Sequence, residues 1–518
     1  MKTSGKAWFL GAIVGVAALA ACGDDADETG GTTTLDAGGT GFDAATADSS
    51  QPQLDSSTVD AATDTTVAAP AVTPLATTRI ANAINPYGLV YATDGFLYAS
   101  GATIDELGER VLAVWRFKDG VRDTTFGTGG VLTVDIPGTE SSFDIVEVSA
   151  GNFVVQAVTS GTAGKVYLVK MTKVVGGTFT FGTPTPVDFD WTDGDFTTWP
   201  GANPPVIATS WAIAVDRSAA ATPKIVVFAS GAPAKGRLGK AGGTQAGIQR
   251  IDNDRWIARV LASTLAPDPA FNGGKPYSVD IDGAEVGDNG RRGIVLADGT
   301  IVSAGYSAFT NGNAIALIRL LPSGAIDPAF GFGTTTAGLG HTRYNPFTTV
   351  AGGFSEAYAV GRQSSGRLVT AGYGTSNFNA PSIGVDLLSF GFKADGADAT
   401  YGKLGALVWQ SETDKAAGLG AGPYVERGRA LAVLPDDRVV IAGVYDDYAT
   451  IYVGDKNGKA DTSSGTNGVI QYTFPAGFFN LVVSPDGKQV AATTQSINQS
   501  ADAGAPLGSV LATLKVGQ

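Results

Sequence analysis

ADGTIVSAG (297–305), followed at residue 326 by IDPAFGFGTTT (326–336), is the stretch on which the fold turns. The first segment reads as a tight Asp-Gly turn feeding a short apolar strand that ends in small residues. The second reads as an Asp-x-x-Phe-Gly turn leading into a further strand. Between them AIALIRL (314–320) is an apolar run of strand length.

Outward from this copy, the turn unit recurs along the whole body of the chain. It appears as TDGFLYASG (93–101), SAGNFVVQA (149–157), ATPKIVVFASG (221–231), SSGRLVTAG (364–372), PDDRVVIAG (435–443) and PDGKQVAAT (485–493). From Gly95 to Gly487 the mean spacing is about 65 residues, which marks a repeat architecture. The second unit follows each of the first six turns. Its other copies are RDTTFGTGGVLTV (122–134), TFTFGTPTPV (178–187), PDPAFNGGKPYSV (267–279), ADATYGKLGALV (397–408) and ADTSSGTNGVIQY (460–472). Another apolar stretch precedes each turn, as in YGLVYA (87–92) and GRALAVL (428–434). Each period therefore holds four short strands, with no helical periodicity between them. This predicts an all-β chain folded as a seven-bladed β-propeller with four-stranded blades. The seventh repeat ends one strand short, after SVLATLKV (509–516), so a strand within 72–83 is expected to complete it. Two packed β-sandwich domains would also supply short strands, but they require no self-similarity.

The motif D-x-x-F-G-x-G-G, complete at Asp123, Phe126, Gly127, Gly129 and Gly130 and coupled to a preceding D-G turn, resembles the bacterial delta-60 repeat family. The resemblance covers most of 79–518, with clear copies in the first, fourth and sixth repeats. Asn272 replaces the Gly after Phe271, and Ser464 replaces the Phe of the sixth copy. It implies a propeller of the kind found on secreted and surface proteins, with no shared catalytic residues. On physical grounds the Phe is expected to plug between neighbouring blades, while the glycines permit left-handed turns.

The N-terminus carries an address. Lys2 and Lys6 precede an apolar segment over 7–21, shorter than the ~20 residues a membrane-spanning helix needs. It ends Leu19-Ala20-Ala21-Cys22, which resembles the bacterial lipobox. That resemblance implies a signal peptide over 1–21, cleavage before Cys22 and lipid attachment to Cys22. Cys22 is the single cysteine of 518 residues, so a disulfide within one chain is excluded. Gly23 rather than Asp follows it, which by resemblance favours the outer membrane. Residues 22–78 then form an acidic Thr/Ala/Asp-rich tether with ten carboxylates after the cysteine and no Lys or Arg. Such a segment buries too little apolar surface to offset its chain entropy and is expected to be disordered. The propeller is assigned to 79–518.

The net charge of −14 argues against a nucleic-acid partner. With Lys2, Lys6 and the ten tether acids set aside, 33 basic and 39 acidic residues remain, so the body is close to neutral. A single His excludes two-histidine zinc sites. That residue, His341, reads as a surface-loop side chain, since no G-x-S-x-G nucleophile elbow accompanies it. DWTDGDFTTWPGANPP (190–205) is an insertion whose Trp191, Asp193, Asp195 and Trp199 form a candidate ligand-binding loop, able to stack on a sugar ring or grip calcium. The same residues would equally cover an exposed blade edge. Lys235, Arg237 and Lys240 lie in a nearby Gly-rich loop without a Walker-type G-K-[ST]. VDIDGAEVGDNG (279–290) and GDKNGKAD (454–461) fail the calcium-loop pattern and read as turns. No catalytic residue, metal or cofactor is assigned.

Together these features predict a monomeric, lipid-anchored protein of the bacterial cell envelope. Its propeller would serve as a binding or scaffold module for a protein or glycan. The alternatives are an extracytoplasmic hydrolase or lyase acting on carbohydrate through carboxylates in the propeller channel, and a structural envelope role.

Overall fold

The computed structural model describes residues 71–136, 139–159, 166–187, 209–231, 253–279, 281, 287–309, 312–331, 340–347, 353–375, 385–402, 406–409, 426–446, 448–496 and 508–517. They form seven antiparallel sheets, the blades of a propeller. Blade 1 runs outward through Ile84–Tyr91, Leu97–Ile104 and Arg110–Lys118 to Val121–Arg122 and Val131–Val134. Blade 2 uses Ile145–Ser149, Asn152–Thr159, Val166–Lys173 and two short outer pieces, Phe179–Phe181 and Thr185–Pro186. Blade 3 is Thr209–Asp216, Lys224–Gly231, Asp254–Leu261 and Tyr277–Val279. Blade 4 has Asp288–Val295, Ile301–Phe309 and Gly312–Leu320, its outer position filled by single bridges from Ile326, His341 and Tyr344. Blades 5 and 6 start at Ser355–Arg362 and Glu426–Val433, and blade 7 at Phe478–Val483. Seven apolar clusters fill the seven blade-to-blade interfaces, including the one between blades 7 and 1.

The repeated turn joins the first and second strand of a blade. In blade 4 Gly299 donates its N–H to Leu296 O (2.9 Å) at φ 84°, a backbone state that L side chains rarely adopt. Blade 6 makes the same turn with Asp437 at φ 68°, so the position needs a left-handed residue but not always Gly.

The D-x-x-F unit is a latch. Asp123 Oδ1 accepts from Thr125 N (2.9 Å), and Asp123 Oδ2 accepts from Arg116 Nε (2.9 Å) on the adjacent strand. The Phe126 ring then covers the same guanidinium, 5.0 Å from centroid to Cζ. Blades 3 and 4 repeat it with Arg259–Asp268–Phe271 and Arg319–Asp327–Phe330. In blades 5 and 6 the arginine comes instead from the entrance of the second strand, as Arg367 to Asp398 and Arg438 to Asp461. Gly391 occupies the vacated place in blade 5, where a Cβ would lie 2.6 Å from Tyr401 Cβ. Burial pushes the Asp398 carboxyl up, but bonds from Thr400 and Arg367 outweigh it and hold it below the usual carboxylate range. Stability from this latch is present above the unfolded value near 4 and is lost as pH falls through the folded one. Phe126, Phe271, Phe330 and Tyr401 each sit in a cluster shared with the next blade, as expected of the repeat.

The exception at Ser464 explains how the ring closes. Strand Val72–Ala81 pairs antiparallel with Gly508–Val516 and supplies the outer strand of blade 7. Residues 72–78, assigned by sequence to the tether, therefore belong to the propeller, because their backbone pairs with the last strand. Val72 donates its N–H to Ser464 Oγ (2.8 Å), which donates in turn to Asp461 Oδ2 (2.9 Å). Val72 is fully buried in the cluster between blades 6 and 7, in space that an aromatic ring takes at other interfaces. A small hydroxyl at the sixth latch thus leaves room for the closing strand. Ser464→Phe is expected to cost about 1–3 kcal/mol by overpacking. It should also open 72–81 to limited proteolysis before the remaining blades; an unchanged digestion pattern and melting temperature would refute this role.

Candidate functional site

Antiparallel blades send their connections to two faces. One face carries the turns between first and second and between third and fourth strands, here the turn face. The other, the loop face, carries the connections from second to third strand and from blade to blade. Val187 and Thr209, flanking the Trp-rich insertion, and Gly231 and Asn253, flanking the Lys/Arg loop, are all at loop-face ends of their strands. The described ends that flank the two sequence candidates therefore share one face. Trp191, Asp193, Asp195 and Trp199 themselves lie outside the described residues, as does Cys22.

The axis shows a feature that sequence reasoning missed. The pairing register slips in the innermost strand of every blade, and in six it slips at the residue that turns to the axis, as between Ser210 and Ala212, Ala357 and Ala359, Gly428 and Ala430, and Phe478 and Asn480. In blade 2 the inner edge is broken between Thr139–Ser141 and Ile145–Ser149. A bulge re-aims a side chain that regular pairing would hold over the sheet. The residues at these breaks are Tyr87, Phe143, Trp211, Arg291, Tyr358, Arg429 and Phe479, one from each blade. All are buried except Arg429, which is half-buried.

They pack on one another and fill the axis. Tyr87 stacks on Phe479 with centroids 3.9 Å apart, Phe479 on Trp211 at 5.5 Å, and Phe143 lies 5.1 Å from Trp211. Arg291 Cζ sits 4.2 Å from the Trp211 ring and 4.7 Å from Tyr358, while Arg429 Cζ is 4.6 Å from Tyr358. Desolvated cation–π contacts of this kind are worth about 2 kcal/mol each. The plug is two-sided: blades 7, 1, 2 and 3 contribute aromatics only, and blades 4 to 6 contribute guanidiniums and phenols. Arg291 donates to Tyr306 Oη (3.0 Å), and the Tyr358 and Tyr373 hydroxyls share a 2.9 Å bond. Glu356 accepts from Asn313 Nδ2 on the same polar side.

One carboxylate reaches across. Asp144 follows Phe143 and accepts from Ile145 N (3.0 Å) and, on the neighbouring blade, Ile213 N (3.2 Å). Asn480 stands at the corresponding place after Phe479, accepting from Leu481 N (2.8 Å) and donating to Tyr87 O. What distinguishes Asp144 is Arg292 of blade 4, with Nη1 3.8 Å from its Oδ2. Burial pushes the Asp144 carboxyl up to about 6, against the pull of Arg292 and the two N–H donors. Its charge partner is a guanidinium rather than a second carboxylate, and its oxygens are engaged in joining blades. The geometry is that of a structural cross-tie.

His341 differs from its expected position. It is 4% exposed and bridges Ile318 in the outer part of blade 4. Thr342 and Tyr344 beside it also bond strand Gly312–Leu320, so the segment read as a surface loop is the edge of the blade. GDKNGKAD behaves as a turn: Asp455 Oδ1 accepts from Asn457 N and Lys459 N, both at 2.8 Å. Of the 279–290 segment, Asp288 Oδ2 accepts from Ile281 N (2.7 Å), and residues 280 and 282–286 lie outside the described set.

Comparison with known proteins agrees on architecture. A model of the beta-propeller domain of unknown function DUF5122, a domain of the delta-60 repeat kind, matches residues 296–330, the stretch around the clearest turn and latch. No curated protein sequence matches the chain significantly. Among solved structures the chain is similar to the Trypanosoma rangeli sialidase in complex with the inhibitor DANA, at 8% identity and a TM-score of 0.36. That match covers 85% of this chain but 60% of the sialidase, so the chain spans less than two thirds of its length. It is also similar to Chaetomium thermophilum Sqt1 bound to the N-terminus of a ribosomal protein, at 8% identity and TM-score 0.37, over 80% of this chain and 86% of that one. A neuraminidase-like protein from a little yellow-shouldered bat isolate gives 9% identity and TM-score 0.35, over 86% of this chain and 100% of that one. Likeness at this level carries no argument about activity.

Asp144 binds its proton more tightly folded, at about 6, than at its ordinary value of 3.8. The folded state therefore takes up a proton between pH 4 and 6, and stability from this group falls as pH rises through that window. Asp144→Asn should flatten the decline by about 2–3 kcal/mol in urea unfolding followed from pH 4 to 7. Parallel wild-type and variant curves would contradict the assignment.

Proposed function

We propose that the chain is an envelope lipoprotein, anchored through Cys22 by way of its acidic tether, whose propeller binds a protein or glycan on the loop face. The observation that carries this reading is the filled axis. With the centre occupied by seven mutually packed side chains, recognition falls to the loop face, where the Trp191–Trp199 insertion joins blades 2 and 3. A rigid ring that gathers loops of unequal length on one side suits selective binding. Hydrolysis or lysis in the channel would need reacting carboxylates free to meet a substrate, and among the described residues the axial carboxyl that is strongly raised, Asp144, is bonded to two backbone N–H groups.

Two measurements test this. Cys22→Ser should move the protein from the membrane to the soluble fraction of the cell, and retention in the membrane would defeat the anchor. Photo-crosslinking on intact cells, with a glycan array in parallel, should identify a partner whose capture drops at least tenfold in the Trp191→Ala/Trp199→Ala double variant. Turnover of a polysaccharide by the purified chain would overturn the binding reading in favour of the hydrolase or lyase.

A further inference from the structure

The turn face of blades 7, 1 and 2 carries an unusual rim. Four of the largest exposed apolar side chains among the described residues are there: Leu75 (49% exposed), Val121 (68%), Val174 (39%) and Val175 (103%). Val121 and the Val174–Val175 pair sit at the tips of hairpins between third and fourth strands in adjacent blades, and Leu75 lies on the closing strand beside them. A chain of contacts joins these points. A Cβ on Gly120 would lie 3.3 Å from Ala76 Cβ, and Thr78 donates to Gly120 O, tying the blade 1 hairpin to the closing strand. Lys118 Nζ lies 5.5 Å from the Phe96 ring, and Arg116 Cζ lies 4.5 Å from Phe96 and 5.7 Å from Phe179. Lys173 Nζ, next to Val174, lies 5.9 Å from Phe179. Apolar tips thus alternate with Lys118 and Lys173, whose ammonium groups lie near aromatic rings at the rim, Lys118 also donating to Gly95 O (2.8 Å), while Arg116 stays in its latch with Asp123. Apolar tips flanked by cations are the arrangement of an interfacial surface.

Ala71, the first described residue, is at this same face, bonded through its carbonyl to Gly517 N (2.9 Å). About 50 residues separate Cys22 from Val72, and a flexible chain of that length spans on the order of 40 Å. We propose that this rim is a membrane-docking surface, with Val121, Val174 and Val175 entering the lipid interface and Lys118 and Lys173 at headgroup level. The surface rests on the anchor reading for its biological setting, and its chemistry stands on the rim itself. A lipid surface fits better than a protein groove because the apolar groups are on protruding hairpin tips, and the concavity that Lys118, Asp119 and Gly120 line with Ser484, Pro485, Asp486 and Gln489 on the same rim includes none of them. Exposed Asp94 and Asp119 dilute the positive charge, so apolar insertion rather than Coulomb attraction supplies the binding. Docked in this way, the propeller turns its loop face away from the membrane.

The test uses the full chain carrying Cys22→Ser, which has no lipid and no other thiol. A polarity-sensitive fluorophore is placed at Val175→Cys and, as a control on the loop face, at Leu107→Cys, where the native side chain is 84% exposed. Vesicles of phosphatidylethanolamine and phosphatidylglycerol (3:1) should blue-shift the probe at 175 and leave that at 107 unchanged. Val121→Asp/Val174→Asp should reduce vesicle co-sedimentation at least tenfold without changing the melting temperature. No shift at 175, equal shifts at both positions, or a probe already blue-shifted without vesicles (the rim covered by the chain's own acidic segment or a second copy) would each overturn the proposal. Failure of the anchor alone would appear differently, as native Cys22 protein in the soluble fraction.

Discussion

A ring of sheets is stable only if its two ends meet. Each blade here buries apolar side chains against the next, so an open ring would expose two interblade surfaces and leave an unpaired outer edge on the last blade. The pairing of Val72–Ala81 with Gly508–Val516 removes both defects at once, joining residues more than four hundred positions apart. The interface between blades 7 and 1, the axial stack of Phe479 on Tyr87 and the seating of Val72 on Ser464 all depend on it.

Within the closed ring, two recurring devices divide the work. In blades 1, 3, 4, 5 and 6 a latch near the turn face uses an aspartate that caps a turn and neutralises an arginine. The arginine comes from the third strand in blades 1, 3 and 4 and from the entrance of the second in blades 5 and 6, and the latch places an aromatic beside it in all but blade 6, where Ser464 stands. The bulges turn one large residue per blade into the axis. The latches make the blades alike, and the bulges make the centre filled and chemically uneven, aromatic toward blades 7 to 3 and polar toward blades 4 to 6. On the reading proposed above, the loop face serves recognition and the turn face attachment, so the two ends of a strand serve different purposes.

Much of this was legible in the sequence because the repeat is made of residues with narrow conformational roles. Gly299, Asp327 and Phe330 can each be read alone, since a left-handed turn, a capping carboxylate and an interblade ring leave few substitutes. The missing outer strand of blade 7 was legible by counting. Ser464 was visible as a departure, but its reason required knowing that Val72 arrives beside it. The axial plug was not read because its members are Tyr87, Phe143, Trp211, Arg291, Tyr358, Arg429 and Phe479, with no shared chemistry. What they share is size, followed in most blades by Gly, Ala, Asp or Asn just before an apolar strand, and that pattern would have found them. His341 misled because blade 4 forms its outer edge from single bridges, so the sequence around it lacks the apolar alternation of a strand.

Closure is also where the account is most exposed. Hydrogen exchange followed by mass spectrometry on the intact protein reports it directly, because amides in 72–81 exchange slowly only while paired. Protection of 72–81 within about tenfold of that in 508–516, both lost together on global unfolding, is the predicted result. Rapid exchange of 72–81 while the inner strands stay protected would show an open ring, and the arrangement of blades, plug and faces built on its closure would not stand.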